Sequence, residues 1–535
     1  MHLTTMPKVT ASIAAIILML GMMLIEPIWP GVRVLAALYP ILVVLAVMIV
    51  LRWGGQRAGP IGLLAGTAVA ASFFGLTPAT LLASQIKGLV VSVLVLVILW
   101  PALTLYNLVD QAGGIAATAR ALRKLISDYG LLLITLTWAF SAVLEGVAGF
   151  GIPIAIVAPM LVTLGAAPIA AVAAVAVGHA WSVTFGDMGI IFQTLISVTN
   201  ADPVAIVPYA SLLLGVTCLL CGLAAMRILG LRGYGLAIVI VAGVMSLTQY
   251  AVAAAGLPSM AGLLAGLSGI GASAMLTRLP INRWAAVPSI ESSDGALGGE
   301  AAPLRAAIAS YGALALLFAC VVLIAPLNQA LNTITWTVSY SHDTQDFEQI
   351  IHPLTHPGMI VLVVTVLSYL IYRNVGLLGQ GDGRRALRKT SMAALPVTIS
   401  ILTMVGLSTL MEYAGMTQLL AEALGSGLDR LFPAVSPLVG MLGAFATGSN
   451  NNSNVLLGSL QNSVALILGI TPALLLAAQT TGGAIGSMIA PAKIIVGCST
   501  LHLKDREGDV LRITVPYGLL IGLIVGLIAL VLAWI

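Results

Sequence analysis

The sequence predicts an all-α polytopic membrane protein, with about thirteen spanning helices plus two re-entrant hairpins in inverted repeats. Three observations carry this expectation. Only 8 % of the 535 residues are charged and 59 % are hydrophobic, whereas a soluble domain carries about 25 % charge. Stretches without any formal charge are long, among them 233–277, 306–342 and 431–492, and about 20 apolar residues suffice to cross a bilayer core as a helix. The basic residues, finally, gather on one face once the spans are drawn.

Helix is the default at lipid depth, where a free backbone N–H or C=O finds no partner. Spans are expected at 11–28, 34–51, 60–74, 89–109, 168–191, 205–228, 234–255, 259–276, 307–323, 358–372, 391–411, 472–501 and 513–535. The apolar run after Lys8 shows no small-residue cleavage site, so it reads as the first span and not as a signal peptide. Two further apolar stretches, 131–164 and 433–468, are interrupted at the middle by Gly-rich or polar sequence. They read as hairpins that enter and leave on one side.

With that layout, only Arg33, Lys87 and Arg430 fall on the face opposite the main basic clusters, and the loop 328–357 holds no Lys or Arg. The positive-inside rule then places the N-terminus in the cytoplasm and the C-terminus outside a bacterial inner membrane. The net charge of +4 reads as topology, and no nucleic-acid partner is expected. Cys218 and Cys221 have CxxC spacing but lie in an apolar helix, where they read as small buried hydrophobes.

The two interrupted regions resemble each other. Asp110, Gln111, Ala112 and Gly113 precede the first hairpin as Glu412, Tyr413, Ala414 and Gly415 precede the second. Leu164, Gly165 and Pro168 end the first as Leu468, Gly469 and Pro472 end the second. This order divides the chain into N-terminal peripheral helices (1–88), a first repeat (89–204, hairpin 131–164, broken helix 168–199) and linking helices (205–390, outer loop 328–357). A second repeat (391–503, hairpin 433–468, broken helix 472–503) and a C-terminal helix (504–535) complete it. Opposed hairpins make an inverted repeat, a plan that binds substrate near the midplane where broken helices meet.

The first tip carries Glu145, Gly146, Gly149, Phe150 and Gly151, whose glycines leave N–H groups free to attract a carboxylate. The second runs through Ser449, Asn450, Asn451, Asn452, Ser453 and Asn454, a polar run that lipid depth tolerates only around a wet cavity or a ligand. The next helix in each repeat is broken, at His179 to Gly189 in the first and at Thr480, Thr481 and the residues up to Lys493 in the second. Glu145, His179, Asp187 and Lys493 are the ionisable groups at membrane depth, and such groups are functional by default. The bland readings are helix packing for His179, a structural ion pair for Asp187 and Lys493, and snorkelling of Lys493 to the surface. A carboxylate entering against the membrane potential needs a cation with it, so Glu145, His179 and Asp187 are candidate proton carriers.

Leu144 to Gly151, Phe185-Gly186 with Met188-Gly189, and Thr447-Gly448-Ser449 with Ser453-Asn454-Val455-Leu456 resemble the lactate permease family, as do Thr480 to Gly483, Met488 to Pro491 and Arg506 to Arg512. The resemblance implies proton-coupled symport of lactate, glycolate or a related 2-hydroxy monocarboxylate. It also implies the ion-transporter architecture of paired hairpins with an elevator movement. Substrate would be held by Gly146, Gly149, Phe150, Gly151, Ser449, Asn450, Asn451, Ser453, Asn454, Thr480, Thr481 and Lys493. Two departures stand out: Asn450 where members carry Asp, and charged Asp187 and Lys493 where members are uncharged. The alternative is a sodium-coupled carrier of another small organic anion, a dicarboxylate or sulfonate. No enzyme signature, cofactor or metal site is expected: the six histidines show no HExxH spacing. The expected partners are the anion, protons or Na⁺, and the bilayer, with a homodimer left open.

Overall fold

The computed structural model describes residues 31–49, 51, 53–147, 149, 151–278, 301–342, 345–503 and 506–535. Twelve helices among them are long and apolar enough to cross a membrane. The span expected at 11–28 lies outside the described residues.

Two helices form the axis of the molecule. α3 (Pro78–Gln111) comes after α1 (Val32–Ile49) and α2 (Gly55–Phe73), and its counterpart is α15 (Asp382–Tyr413). They are 34 and 32 residues long, about 50 Å at 1.5 Å per residue, so their ends project beyond a hydrocarbon core of about 30 Å. Both begin earlier than the apolar runs at 89 and 391, because their polar first turns are carried on continuous helix. They pack on each other antiparallel. Lys87 near the start of α3 meets Glu412 near the end of α15 at 2.8 Å, and Lys389 near the start of α15 meets Asp110 near the end of α3 at 3.5 Å.

Each long helix leads into the same succession of elements, roughly 300 residues apart. After α3 come the short α4 (Gly114–Leu125), α5 (Tyr129–Val147), α6 (Ile152–Thr163), the half-helices α7 (Pro168–Gly178) and α8 (Ile190–Thr199), and α9 (Pro203–Ile228). Helices α10 (Gly235–Ala254) and α11 (Pro258–Arg278) are extra to the repeat, and α12 (Ala301–Leu323), α13 (Ala325–Asn332) and α14 (Pro357–Asn374) lead into α15. After α15 come α16 (Met416–Leu428), α17 (Phe432–Thr447), α18 (Asn450–Leu468), α19 (Pro472–Ser487), α20 (Pro491–Thr500) and α21 (Glu507–Ala533). Even the turns agree: Gly113 and Gly415 both cap the short helices at φ 76, a left-handed value that favours glycine.

The two halves interlock. α2 packs on α15 while α14 packs on α3, and α1 packs on α16 while α12 packs on α4. The windows in α5 and α19–α20 are 100 % buried within the protein and that of α7–α8 is 89 % buried, whereas α12 and α21 are only 33 % buried. Helices hydrophobic all round therefore form the centre, and lipid-facing helices surround it.

Small residues set the closest approaches. A Cβ on Gly262 would lie 2.8 Å from the Phe185 carbonyl oxygen, and one on Gly266 would lie 2.8 Å from that of Ala139. This glycine face lets α11 press its backbone on α5.

The outer loop 328–357 holds two elements that the apolar pattern did not announce. One is α13. The other is a two-stranded antiparallel hairpin, β1 (Trp336–His342) and β2 (Gln345–Ile351), with Trp336 opposite Ile351 and Tyr340 opposite Phe347. It rests on α3 and buries Phe347.

Candidate functional site

The end of α5, the break between α7 and α8, and the turn between α17 and α18 line one cavity of about 290 Å³. Glu145, Asp187, Ser449, Asn450, Asn451 and Lys493 line it, together with residues 54–56 at the start of α2. Six residues singled out in the sequence, from two regions some 300 residues apart, thus share one wall.

Glu145 sits on the last turns of α5, beyond a π-helical stretch at Leu136–Phe140 that re-aims the segment carrying it. Its carboxylate is wholly buried. Lys493 Nζ lies 3.6 Å from Oε1 and His179 Nε2 lies 3.9 Å from Oε2. Neither oxygen has a hydrogen-bond partner among the described residues. Two cationic or ionisable groups thus flank the carboxylate without closing on it.

His179 ends α7, behind Glu145 and off the cavity wall. Its Nδ1 donates to the Val175 carbonyl at 2.6 Å. That bond turns Nε2 toward Glu145, where it has no hydrogen-bond partner among the described residues.

Asp187 lies in the break between α7 and α8. Asp187, Met188 and Gly189 are all left-handed, at φ 49, 53 and 79. Non-glycine residues hold that conformation only when their surroundings over-determine it. The restraint is visible: the Gly149 N–H donates to Asp187 Oδ1. A Cβ on Gly149 would stand 2.6 Å from both Asp187 Oδ1 and Glu145 Oε1, so glycine is required where both carboxylates converge.

The second half is built by amides and hydroxyls. Asn450 Nδ2 donates to the Thr480 carbonyl at 3.0 Å and to Thr184 Oγ1 at 3.3 Å, and Asn454 Nδ2 donates to Thr480 Oγ1 at 2.9 Å. Thr184 and Thr480 also bond each other, joining the two broken helices at 3.1 Å. Among the described residues, no donor reaches the buried amide oxygens of Asn450, Asn451 and Asn454 or Thr481 Oγ1.

The chain matches the sequence profile described as L-lactate permease over residues 33–535. The chain belongs to the L-lactate permease family. It is a multi-pass membrane transporter of a bacterial permease family and not an enzyme. Among its relatives, the glycolate permease GlcA of Escherichia coli K12 is 27 % identical, over 94 % of this chain and 96 % of that protein. The L-lactate permease of the same organism is also 27 % identical with the same coverage. Among solved structures, the YdaH transporter of Alcanivorax borkumensis superposes with a TM-score of 0.47 at 18 % identity, covering 81 % of this chain and 84 % of that one.

Other expected residues sit elsewhere in this family member. Ser453 faces inward: its Oγ donates to the Gly440 carbonyl at 2.7 Å and accepts from Gln479 Nε2 at 3.0 Å. Gly146 is pressed against the backbone of Leu263, and Gly151 starts α6 in the left-handed region. Phe150 lies outside the described residues. Within the stretch expected to break, from Thr480 up to Lys493, the interruption comes at Met488 to Ala490, while Thr480 to Gly483 are helical. Gly482 and Gly483 serve contact instead, against the backbone of Pro437 and the side chain of Asn450.

The sequence reading missed three contributors. Thr184 joins the halves. The Ser436–Gln461–Gln479 chain braces the second unit, with Gln461 Nε2 donating to Gln479 Oε1 at 3.1 Å. Residues 54–56 reach the cavity because Gly55 lets α2 close on Ser400 and Asn452. Paired glutamines in apolar helices and a Gly-Gly step were the available signals.

Proposed function

We propose that this chain carries lactate, glycolate or a related small 2-hydroxy monocarboxylate across the bacterial inner membrane together with protons. The observation that supports it most is the Lys493–Glu145 pair in the cavity between the two broken-helix units. A carboxylate substrate is a competitor for Lys493. When it arrives, Glu145 loses its counter-charge in a buried site, where an unpaired charge is expensive. A proton on Glu145 restores neutrality, with His179 Nε2 able to pass it on. Substrate and proton then bind together because both answer to one lysine. Asp187, held by Gly149, keeps an oxygen toward the cavity for the substrate hydroxyl. The relatives' names, a glycolate permease and L-lactate permeases, agree with the substrate class.

The arrangement of elements supports two inverted repeats whose helix–turn–helix units, 131–164 and 433–468, are re-entrant. The positive-inside bias favours a cytoplasmic N-terminus and an external C-terminus. On that orientation the cavity wall at residues 54–56 lies toward the cytoplasm. α1–α4 and α12–α16 act as the frame against which the central helices move.

A second reading is sodium coupling, favoured by the oxygens of Asn450, Asn451, Asn454 and Thr481, which meet no donor among the described residues and suit a hard cation. Counterflow in proteoliposomes against a panel of 2-hydroxy acids, repeated with a pH gradient in sodium-free buffer, separates the readings. Uptake of lactate or glycolate driven by the pH gradient alone is expected. Uptake that requires sodium at fixed pH overturns proton coupling, and no counterflow of any 2-hydroxy acid overturns the substrate class.

A further inference from the structure

We propose that the lateral groove between α3, α14 and α15 binds one anionic phospholipid, its phosphate on Arg384 and one acyl chain along Trp100, Leu108 and Leu362. The groove has a volume of about 430 Å³ and lies on the frame, apart from the transport cavity. It opens to the lipid side: Leu362, Val366 and Leu387 on its rim are 40 %, 49 % and 56 % exposed.

Three polar side chains of the groove wall are already engaged. Thr365 Oγ1 donates to the Val361 carbonyl at 2.7 Å, Thr104 Oγ1 to the Trp100 carbonyl at 2.8 Å, and Trp100 Nε1 to Thr398 Oγ1 at 3.2 Å. A hydrocarbon chain therefore meets no unpaired donor or acceptor among them. Gly383 lets the ring of Tyr369 lie across the start of α15, since a Cβ there would be 2.7 Å from Tyr369 Cε2.

One end carries charge. Arg385 pairs with Asp382 and Lys389 with Asp110, which uses the local carboxylates. Arg384 lines the groove, and among the described residues it has no carboxylate within ion-pair distance. A phosphate diester is the anion that a bilayer supplies beside a hydrocarbon chain, and a planar guanidinium suits it.

Length decides between a lipid and a second copy of the chain. Trp100 to Leu108 covers about 12 Å at 1.5 Å per residue, close to one leaflet's half of a core about 30 Å thick. A spanning helix from another copy needs a groove twice as long.

The test uses the purified full-length protein in detergent, with palmitoyl-oleoyl phosphatidylglycerol and phosphatidylcholine as probes, read by native mass spectrometry and thermal unfolding. The unaltered protein is expected to hold one phosphatidylglycerol, with phosphatidylcholine about fivefold weaker. Arg384→Gln, at an exposed side chain that leaves folding intact, removes that preference, whereas Arg373→Gln outside the groove retains it. Thr104→Trp fills the groove and excludes both lipids. An unchanged preference in Arg384→Gln overturns the site. So does equal protection by inorganic phosphate, or a dimer that Thr104→Trp splits while no lipid is bound.

Discussion

Replacing Lys493 by methionine removes the charge and keeps most of the side-chain volume. Lys493 Nζ stands 3.6 Å from Glu145 Oε1, with the two side chains 9 % and 1 % exposed. At an effective dielectric of about 20 the Coulomb term at that distance is about 5 kcal/mol. The substrate carboxylate is proposed to take over this contact, and a hydrogen bond to a charged group contributes about 1.5–3 kcal/mol net. Lys493→Met is therefore expected to weaken substrate binding by roughly 10- to 150-fold. It also leaves Glu145 buried without a counter-charge, so the single variant loses thermal stability. The double variant Lys493→Met with Glu145→Gln removes both charges. It should regain stability without regaining affinity, which separates binding from folding. Half-saturation is measured by lactate counterflow in proteoliposomes, and stability by thermal unfolding of the same preparations. A half-saturation concentration for Lys493→Met within threefold of the unaltered protein refutes the role given to this lysine.

Three further outcomes are expected. Glu145→Gln should abolish uphill uptake driven by a pH gradient yet support exchange between equal pools, because a neutral amide resembles the protonated acid; normal accumulation would pass the proton role to His179. Gly149→Ala should abolish transport at normal expression, since its Cβ would stand 2.6 Å from both Asp187 Oδ1 and Glu145 Oε1; transport at the unaltered rate would show that the two carboxylates need not converge. Lys87→Met should destabilise the protein by about 1.5–3 kcal/mol through loss of the 2.8 Å contact to Glu412. The exchange Lys87→Glu with Glu412→Lys should restore most of that, as judged by thermal unfolding, if the pair itself holds the ends of α3 and α15 together.

The membrane class and the position of most spans were legible in the residues alone. Lipid punishes any unpaired backbone group, so an apolar run of span length has helix as its open solution. Glu145, His179, Asp187 and Lys493, all buried, stood out in the sequence for the same reason: a buried charge needs a purpose or a partner. Tertiary structure decided which partner. Nothing local in the sequence sets Lys493 beside Glu145, 348 residues away, or turns Asp187 onto the N–H of Gly149. Nor does local pattern reveal that Ser453 braces the fold while its neighbour Asn451 faces the cavity, because that choice depends on the rotation of α18 against α17 and α19. The helices α2 and α14 exchange places between the halves for a similar reason. Hydropathy fixes how deep a segment lies, whereas the neighbour it packs against is chosen by shape, by small residues that admit a backbone, and by polar groups that must be satisfied across the interface.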